Sequence, residues 1–252
     1  MTQTSDIIQS EHAGGVVCLT LNNGPVNALS ADGLMQFAGR IKALEADDAV
    51  RAIALASPFK VFSAGVNLKQ AQGFDLAAQH AIVKGLNEGF LALFECAKPT
   101  VVAVNGAAIA GGLFYVLASD FRIAAARAAF GLAEVRVGVD FPLGPLEIAR
   151  ATLSPNDLRR LMLTGQPMSA EEARIAGIVD RIVPDEELLE AALAEAAKLG
   201  QIPPATFASV KRQIRGEAIA KIKAGIAAGA NAPEGGWFND ETIPAMRAML
   251  GG

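Results

Sequence analysis

The chain has 252 residues, 52% hydrophobic and 19% charged, enough to bury one large core and too apolar for a disordered segment. A net charge of -4 disfavours a nucleic-acid partner, although an anionic ligand needs only a local cluster of Lys or Arg. Cys18 and Cys96 stand in apolar contexts without a Cys-x-x-Cys, which predicts buried thiols in a reducing compartment.

Met1 to Glu11 is polar with no apolar signal segment, so the cytoplasm is the expected location. Val16 to Leu21 predicts a strand, ended by Asn22-Asn23-Gly24-Pro25. Ser30 is a candidate N-cap for a helix along which Leu34, Phe37, Ile41 and Leu44 recur at helical spacing. Ala52 to Ala56 predicts a second, buried strand; Ser57-Pro58 breaks it and Val61 to Gly65 follows. Asp75 to Cys96 has helical spacing through Ile82, Leu86, Phe90 and Phe94, and Lys98-Pro99 stops it. A third strand (Thr100 to Val104), a glycine turn, a helix from about Gly112 to Ala118 and a fourth strand (Phe121 to Ala124) come next. Thr100 to Ser119 carries no charge, but Asn105-Gly106 and Gly111-Gly112 interrupt it, so it predicts buried elements and no membrane span. Strands alternating with helices imply an α/β layered core with parallel pairing.

Beyond Pro142 helices dominate: Leu143 to Ala151, Ser154 to Leu163, and Ser169 to Ala176 with a capping box at Ser169 and Glu172. A short strand, Asp180 to Val183, precedes a helix from Asp185 to Leu199. Pro203-Pro204 is the candidate linker to an amphipathic stretch reaching Ala228, a Gly/Asn/Pro-rich loop, and a final helix from about Asp240 to Leu250. The expected organisation is a core over residues 1–190 and a helical region over 191–252.

Several chemistries lack their residues. There is no Gly-x-Ser-x-Gly and no Gly-x-x-x-x-Gly-Lys-Ser/Thr. His12 and His80 are far apart without metal-ligand spacing, so no metal site is expected and both read as surface residues. Two glycine turns remain: Phe62-Ser63-Ala64-Gly65-Val66-Asn67 after a strand, and Gly106 to Gly112 between a strand and a helix. Each turn alone is consistent with an ordinary tight turn. Together they could aim two backbone N–H groups at one developing oxyanion. Glu134 follows in an apolar segment, where it could move a proton beside that oxygen.

The chain resembles the crotonase superfamily, the enoyl-CoA hydratase/isomerase family, from about Val16 to Pro184. The resemblance runs in order through Gly24-Pro25-Val26-Asn27-Ala28-Leu29, Phe62-Ser63-Ala64-Gly65, Lys98-Pro99, Asn105-Gly106 and Gly111-Gly112. It continues through Asp120-Phe121-Arg122-Ile123-Ala124, Phe130-Gly131, Glu134, Gly138, Leu163-Thr164-Gly165, Ser169-Ala170 and Gly177-Ile178-Val179. It implies an α/β spiral of ββα units followed by a C-terminal helical trimerisation region, giving a homotrimer or a dimer of trimers. It also implies an acyl-CoA thioester substrate, with no cofactor beyond that coenzyme A. By position, the N–H groups of Val66 and Gly111 would hold the thioester oxygen. Ala64, Asn67 and Phe114 would adjoin the substrate, and Lys69, Lys211 and Arg212 would be candidates for the CoA nucleotide.

Family hydratases hold a water between two glutamates. By position one of these is Glu134, and the other falls where this chain has Phe114. Phenylalanine can neither hold that water nor exchange a proton. One carboxylate can still carry a proton from one carbon to another, which favours an enoyl-CoA isomerase using Glu134, with a useful pKa near ~6–7. Asp140 is a second candidate acid, and Arg136 reads as a partner for surface acids. Leu143-Gly144-Pro145 replaces a glycine-rich turn of the acyl pocket, and Tyr115 is expected to fill that pocket further. Alternatives are a hydratase or another family activity, and a non-catalytic acyl-CoA binding homologue.

Overall fold

The computed structural model describes residues 6–251. Its chain begins with an antiparallel pair, β1 (Ile7–His12) and β2 (Val16–Leu21). β1 had no sequence signal: it is an edge strand in which only Ile7 is buried, so its polar residues show no burial period. Ser30 caps α1 (Ala31–Ala46) by accepting the Gly33 N–H. After β3 (Ala52–Ala56), Asn67 caps the short α2 (Leu68–Ala71) and Asp75 caps α3 (Leu76–Glu95).

β4 (Thr100–Val104), β5 (Ala108–Ile109), α4 (Leu113–Ala118), β6 (Phe121–Ala125) and β7 (Ala129–Gly131) follow. Then come α5 (Leu143–Thr152), α6 (Pro155–Thr164), β8 (Met168–Ser169), α7 (Ala170–Ile175) and β9 (Arg181–Val183). The chain ends in α8 (Leu188–Leu199), α9 (Pro204–Ala227) and α10 (Thr242–Met249). The capping box at Ser169 and Glu172 is formed, and both cysteines are buried free thiols. Among the described residues no helix is long and apolar enough to cross a membrane.

One sheet has the order β1-β2-β3-β4-β6-β9, parallel beyond its first pair; a smaller one has the order β5-β7-β8. The inner strands β2, β3, β4 and β6 are buried on both faces, which is why they read as unbroken apolar runs. One face sends Leu19, Ile53, Leu55 and Val102 into the main core with the apolar stripes of α1 and α3. The other presents the smaller Cys18, Ala52, Ala54 and Ala103 to Leu188, Ala192 and Ala196 of α8. The expected division between residues 190 and 191 falls inside α8, a helix that completes the sheet's packing.

Pro203 ends the short connection from α8, and Pro204 opens α9 at its first turn. α9 is tied to the core by buried charge. Asp120, between α4 and β6, receives the Lys211 ammonium at 2.7 Å and the Arg215 guanidinium at 2.9 Å. It also accepts from the N–H and hydroxyl of Thr100, each at 2.9 Å. Arg215 lies over the Phe94 ring and donates to the carbonyls of Phe94 and Ala118. Burial pushes the pKa of Lys211 down, and Asp120 opposes that. Removing one member of such a buried set leaves the others uncompensated. Asp120→Ala is therefore expected to destabilise the fold by about 3–5 kcal/mol in chemical denaturation. A loss under ~1 kcal/mol, typical of an exposed pair, would contradict this account.

Candidate active site

Two turns meet at the edge of the small sheet. Ser63 bridges to Ala108, donates its N–H to the Ala107 carbonyl, and accepts from the Ile109 N–H at 2.9 Å. Gly65 has φ +77, and a Cβ there would lie 3.0 Å from the Ala110 Cβ and 3.2 Å from the Gly111 nitrogen. A Cβ on Gly112 would lie 2.3 Å from the Ser63 carbonyl oxygen. Only glycines allow this approach, and it brings Val66 and Gly111 to one wall. Val66 donates to no backbone carbonyl among the described residues. Gly111 lies in a 3-10 turn (Ala110–Gly112) that begins at Ala110, where first-turn N–H groups lack intrahelical partners. Ala110 itself sits at φ +50, a left-handed position that glycine fills with less strain.

A cavity of about 230 Å³ opens against these turns, lined by Ala64, Val66, Ala110, Gly111 and Phe114. Among the described residues its one ionisable lining side chain is Glu134, at the start of a 3-10 turn (Glu134–Val137) and 6% exposed. Glu134 Oε2 is buried without a hydrogen-bond partner. Burial pushes this carboxyl up to about 8, opposed only by a hydrogen bond to its own backbone. That lies above the ~6–7 expected from a partly apolar setting. Phe114 is 1% exposed and packs on Phe90 and Phe141, with ring centres 5.6 and 6.5 Å away.

The Enoyl-CoA hydratase/isomerase family model matches residues 11–232. The chain belongs to this family. A Rhizobium meliloti protein described as a probable enoyl-CoA hydratase is 36% identical over 205 residues, covering 79% of this chain and 77% of the relative. Mouse mitochondrial enoyl-CoA delta isomerase 1 is 30% identical over 212 residues, covering 83% and 73%. The crystal structure of human mitochondrial delta3-delta2-enoyl-CoA isomerase superposes with a TM-score of 0.87 at 26% identity, covering 98% of this chain and 97% of that one. The fold is thus the α/β fold of the enoyl-CoA hydratase/isomerase family with its C-terminal helices, and relatives of both activities are represented.

Within this family frame several expected residues lie elsewhere than the sequence suggested. Asp140 is exposed and absent from the cavity lining; its carbonyl accepts from Trp237 Nε1 at 2.8 Å. Tyr115 faces away from the cavity, edge-on to Phe37, Phe62 and Phe90, because adjacent helical residues point in different directions. Lys211 is committed to Asp120 and is not displayed to a ligand. Arg136 donates to the Thr164 carbonyl at 3.0 Å, and among the described residues no acid pairs with it. His12 is exposed, but His80 is half-buried and bonds to the Pro233 carbonyl. Asn67 serves its helix by accepting from the N–H groups of Lys69 and Gln70, while the Lys69 and Arg212 side chains are exposed. Gly144 packs on Asn87, and Pro145 lines the cavity.

Sequence reasoning missed the cavity's far wall. Leu86 of α3, Pro142, and Trp237, Met246 and Met249 of the C-terminal segment all line it. Met246 and Met249 at i and i+3 mark one helix face, a signal equally consistent with ordinary core packing.

Two outcomes follow from the geometry. Gly112→Ala is expected to separate the turns, lower stability by about 1–3 kcal/mol and weaken binding of acyl-CoA in calorimetry; unchanged binding would contradict the close approach. Because Glu134 is harder to ionise folded than unfolded, its protonated form contributes stability that is complete at low pH and lost as pH rises through about 8. Glu134→Gln should therefore unfold at higher temperature than the parent at pH 9, by free energy on the order of a few kcal/mol. Equal melting of the two proteins at that pH would show that the carboxyl is not desolvated.

Proposed function

We propose that this chain is an enoyl-CoA isomerase that moves a double bond from the 3- to the 2-position of an acyl-CoA thioester. The observation that carries this reading is a single desolvated carboxylate, Glu134, in a cavity that Phe114 also lines and to which the described residues bring no second acid. In this reading ionised Glu134 removes a proton from C2. The electron pair delocalises into the thioester, and negative charge on its oxygen is held by the N–H groups of Val66 and Gly111. Protonated Glu134 then returns the proton to C4, the double bond comes to lie between C2 and C3, and the carboxylate is regenerated. No water enters the balance, and the apolar lining favours a hydrocarbon acyl group.

Exposed Lys69, beside the cavity residue Leu68, and exposed Arg212 are the cations we assign to the CoA nucleotide. Ala64 and Asn67 edge the thioester end. The exposed apolar side chains Leu163, Ile175 and Ile214 support assembly as a trimer or a dimer of trimers. A second reading, hydration, is favoured by the description of the Rhizobium relative. It would need a water held without the second carboxylate.

Glu134→Gln keeps the shape and removes the base. It should bind CoA ester as the parent does and lose about 10²–10⁴-fold in turnover of 3-enoyl-CoA. For the parent, kcat/KM should rise with pH and level off above about 8, because the base must be ionised. Parent-like turnover by Glu134→Gln would remove Glu134 from the mechanism.

A further inference from the structure

The loop that carries Glu134 is gripped from the far end of the chain. Gly138, at φ +69, and Val139 both donate their N–H groups to the Glu134 carbonyl, closing the 3-10 turn on that residue's backbone. Residues 138–140 are in turn held one by one. The buried Thr242 hydroxyl donates to the Gly138 carbonyl at 2.6 Å. Val139 pairs antiparallel with Phe238, and Trp237 Nε1 donates to the Asp140 carbonyl. The Thr242 oxygen also accepts the Asn239 N–H at 3.0 Å, and of the two acceptors within reach of its hydroxyl the Gly138 carbonyl is much nearer than Asn239 Oδ1 at 3.3 Å. A Cβ on Gly138 would lie 3.2 Å from the Thr242 Cα, so the two backbones are in contact.

The gripping segment is itself fixed. Gln79 Oε1 on α3 accepts from the N–H groups of Trp237 and Phe238, at 2.9 and 3.1 Å. The same segment supplies Met246 to the cavity wall, so it both orients the loop and keeps water from it.

We propose that Thr242 is a positioning residue for the proton carrier: through Gly138 it holds the Glu134 turn against the dry cavity. This rests on the reading of Glu134 as the proton carrier, and its test has one arm that needs no turnover. Glu134 is the one ionisable side chain lining the cavity among the described residues, and the charged side chains of the two segments, Arg136, Asp140, Asp240, Glu241 and Arg247, are exposed. Loosening the turn admits water and lowers the midpoint of its carboxyl.

The experiment compares the parent, Thr242→Val and Thr242→Ser as full chains. The Glu134 carboxyl midpoint is read by carbon NMR of Glu-labelled protein, with Glu134→Gln identifying the signal. Turnover of a 3-enoyl-CoA is measured alongside. Thr242→Val should lower the midpoint by about one unit and lower kcat about tenfold with KM nearly unchanged, and Thr242→Ser should restore both. An unmoved midpoint in Thr242→Val overturns the proposal, with or without a loss of kcat. If the parent lacks isomerase turnover, the proposed function fails while the midpoint still decides the positioning claim. If Thr242→Val does not fold, Trp237→Phe, which removes the donor to Asp140 and keeps a ring, is read against the same midpoint.

Discussion

The constraint on which the rest depends is the contact of two backbone turns with no side chain between them. Residues 63–65 and 110–112 approach so closely that a Cβ at Gly112 would collide with the Ser63 carbonyl. The Ser63–Ala108 bridge joins the small sheet to this point. From it α4 starts, and the start of α4 places Phe114 in the cavity and leaves Gly111 and Val66 on its wall. A side chain at Gly65 or Gly112 would shift all of these together.

Against that wall the fold buries one carboxylic acid. An unpaired acid in apolar surroundings resists ionisation, and this cost is tolerable here because the proton can stay on at neutral pH. The dryness depends on the chain's other end. α9 is pinned by Lys211 and Arg215 to Asp120, and the chain beyond it returns to lay Trp237 and α10 over the cavity. A charge cluster on one side of the molecule and a polar row on α3, including Gln79 and Asn87, thus fix the surface that keeps water from Glu134. Asn87 is buried and holds both Gly144 of the cavity-lining α5 start and Asn231 of the C-terminal loop.

What the sequence made legible was what periodicity and turn chemistry encode. The stripe Leu34, Phe37, Ile41, Leu44 is the buried face of α1, and Ser30, Asp75 and Ser169 cap helices. The glycine turns and Glu134 were legible as a pair because short segments place them. β1 was not, since an edge strand needs no apolar alternation. The roles of Lys211 and Tyr115 were not either, because a side chain's direction depends on what the tertiary fold sets opposite it. Lys211 faces Asp120, distant by 91 positions, and Tyr115 faces Phe37. The far cavity wall was hidden for the same reason: Trp237 and Met246 reach Glu134 only through a long return of the chain.

The central claim is that one proton carrier in a dry cavity shifts a double bond and adds no water. The most direct measurement is mass-spectrometric product analysis after turnover of 3-enoyl-CoA and 2-enoyl-CoA in water labelled with heavy oxygen. The account predicts interconversion of the two enoyl esters with no heavy oxygen in either. A labelled 3-hydroxyacyl ester formed at a comparable rate would contradict it.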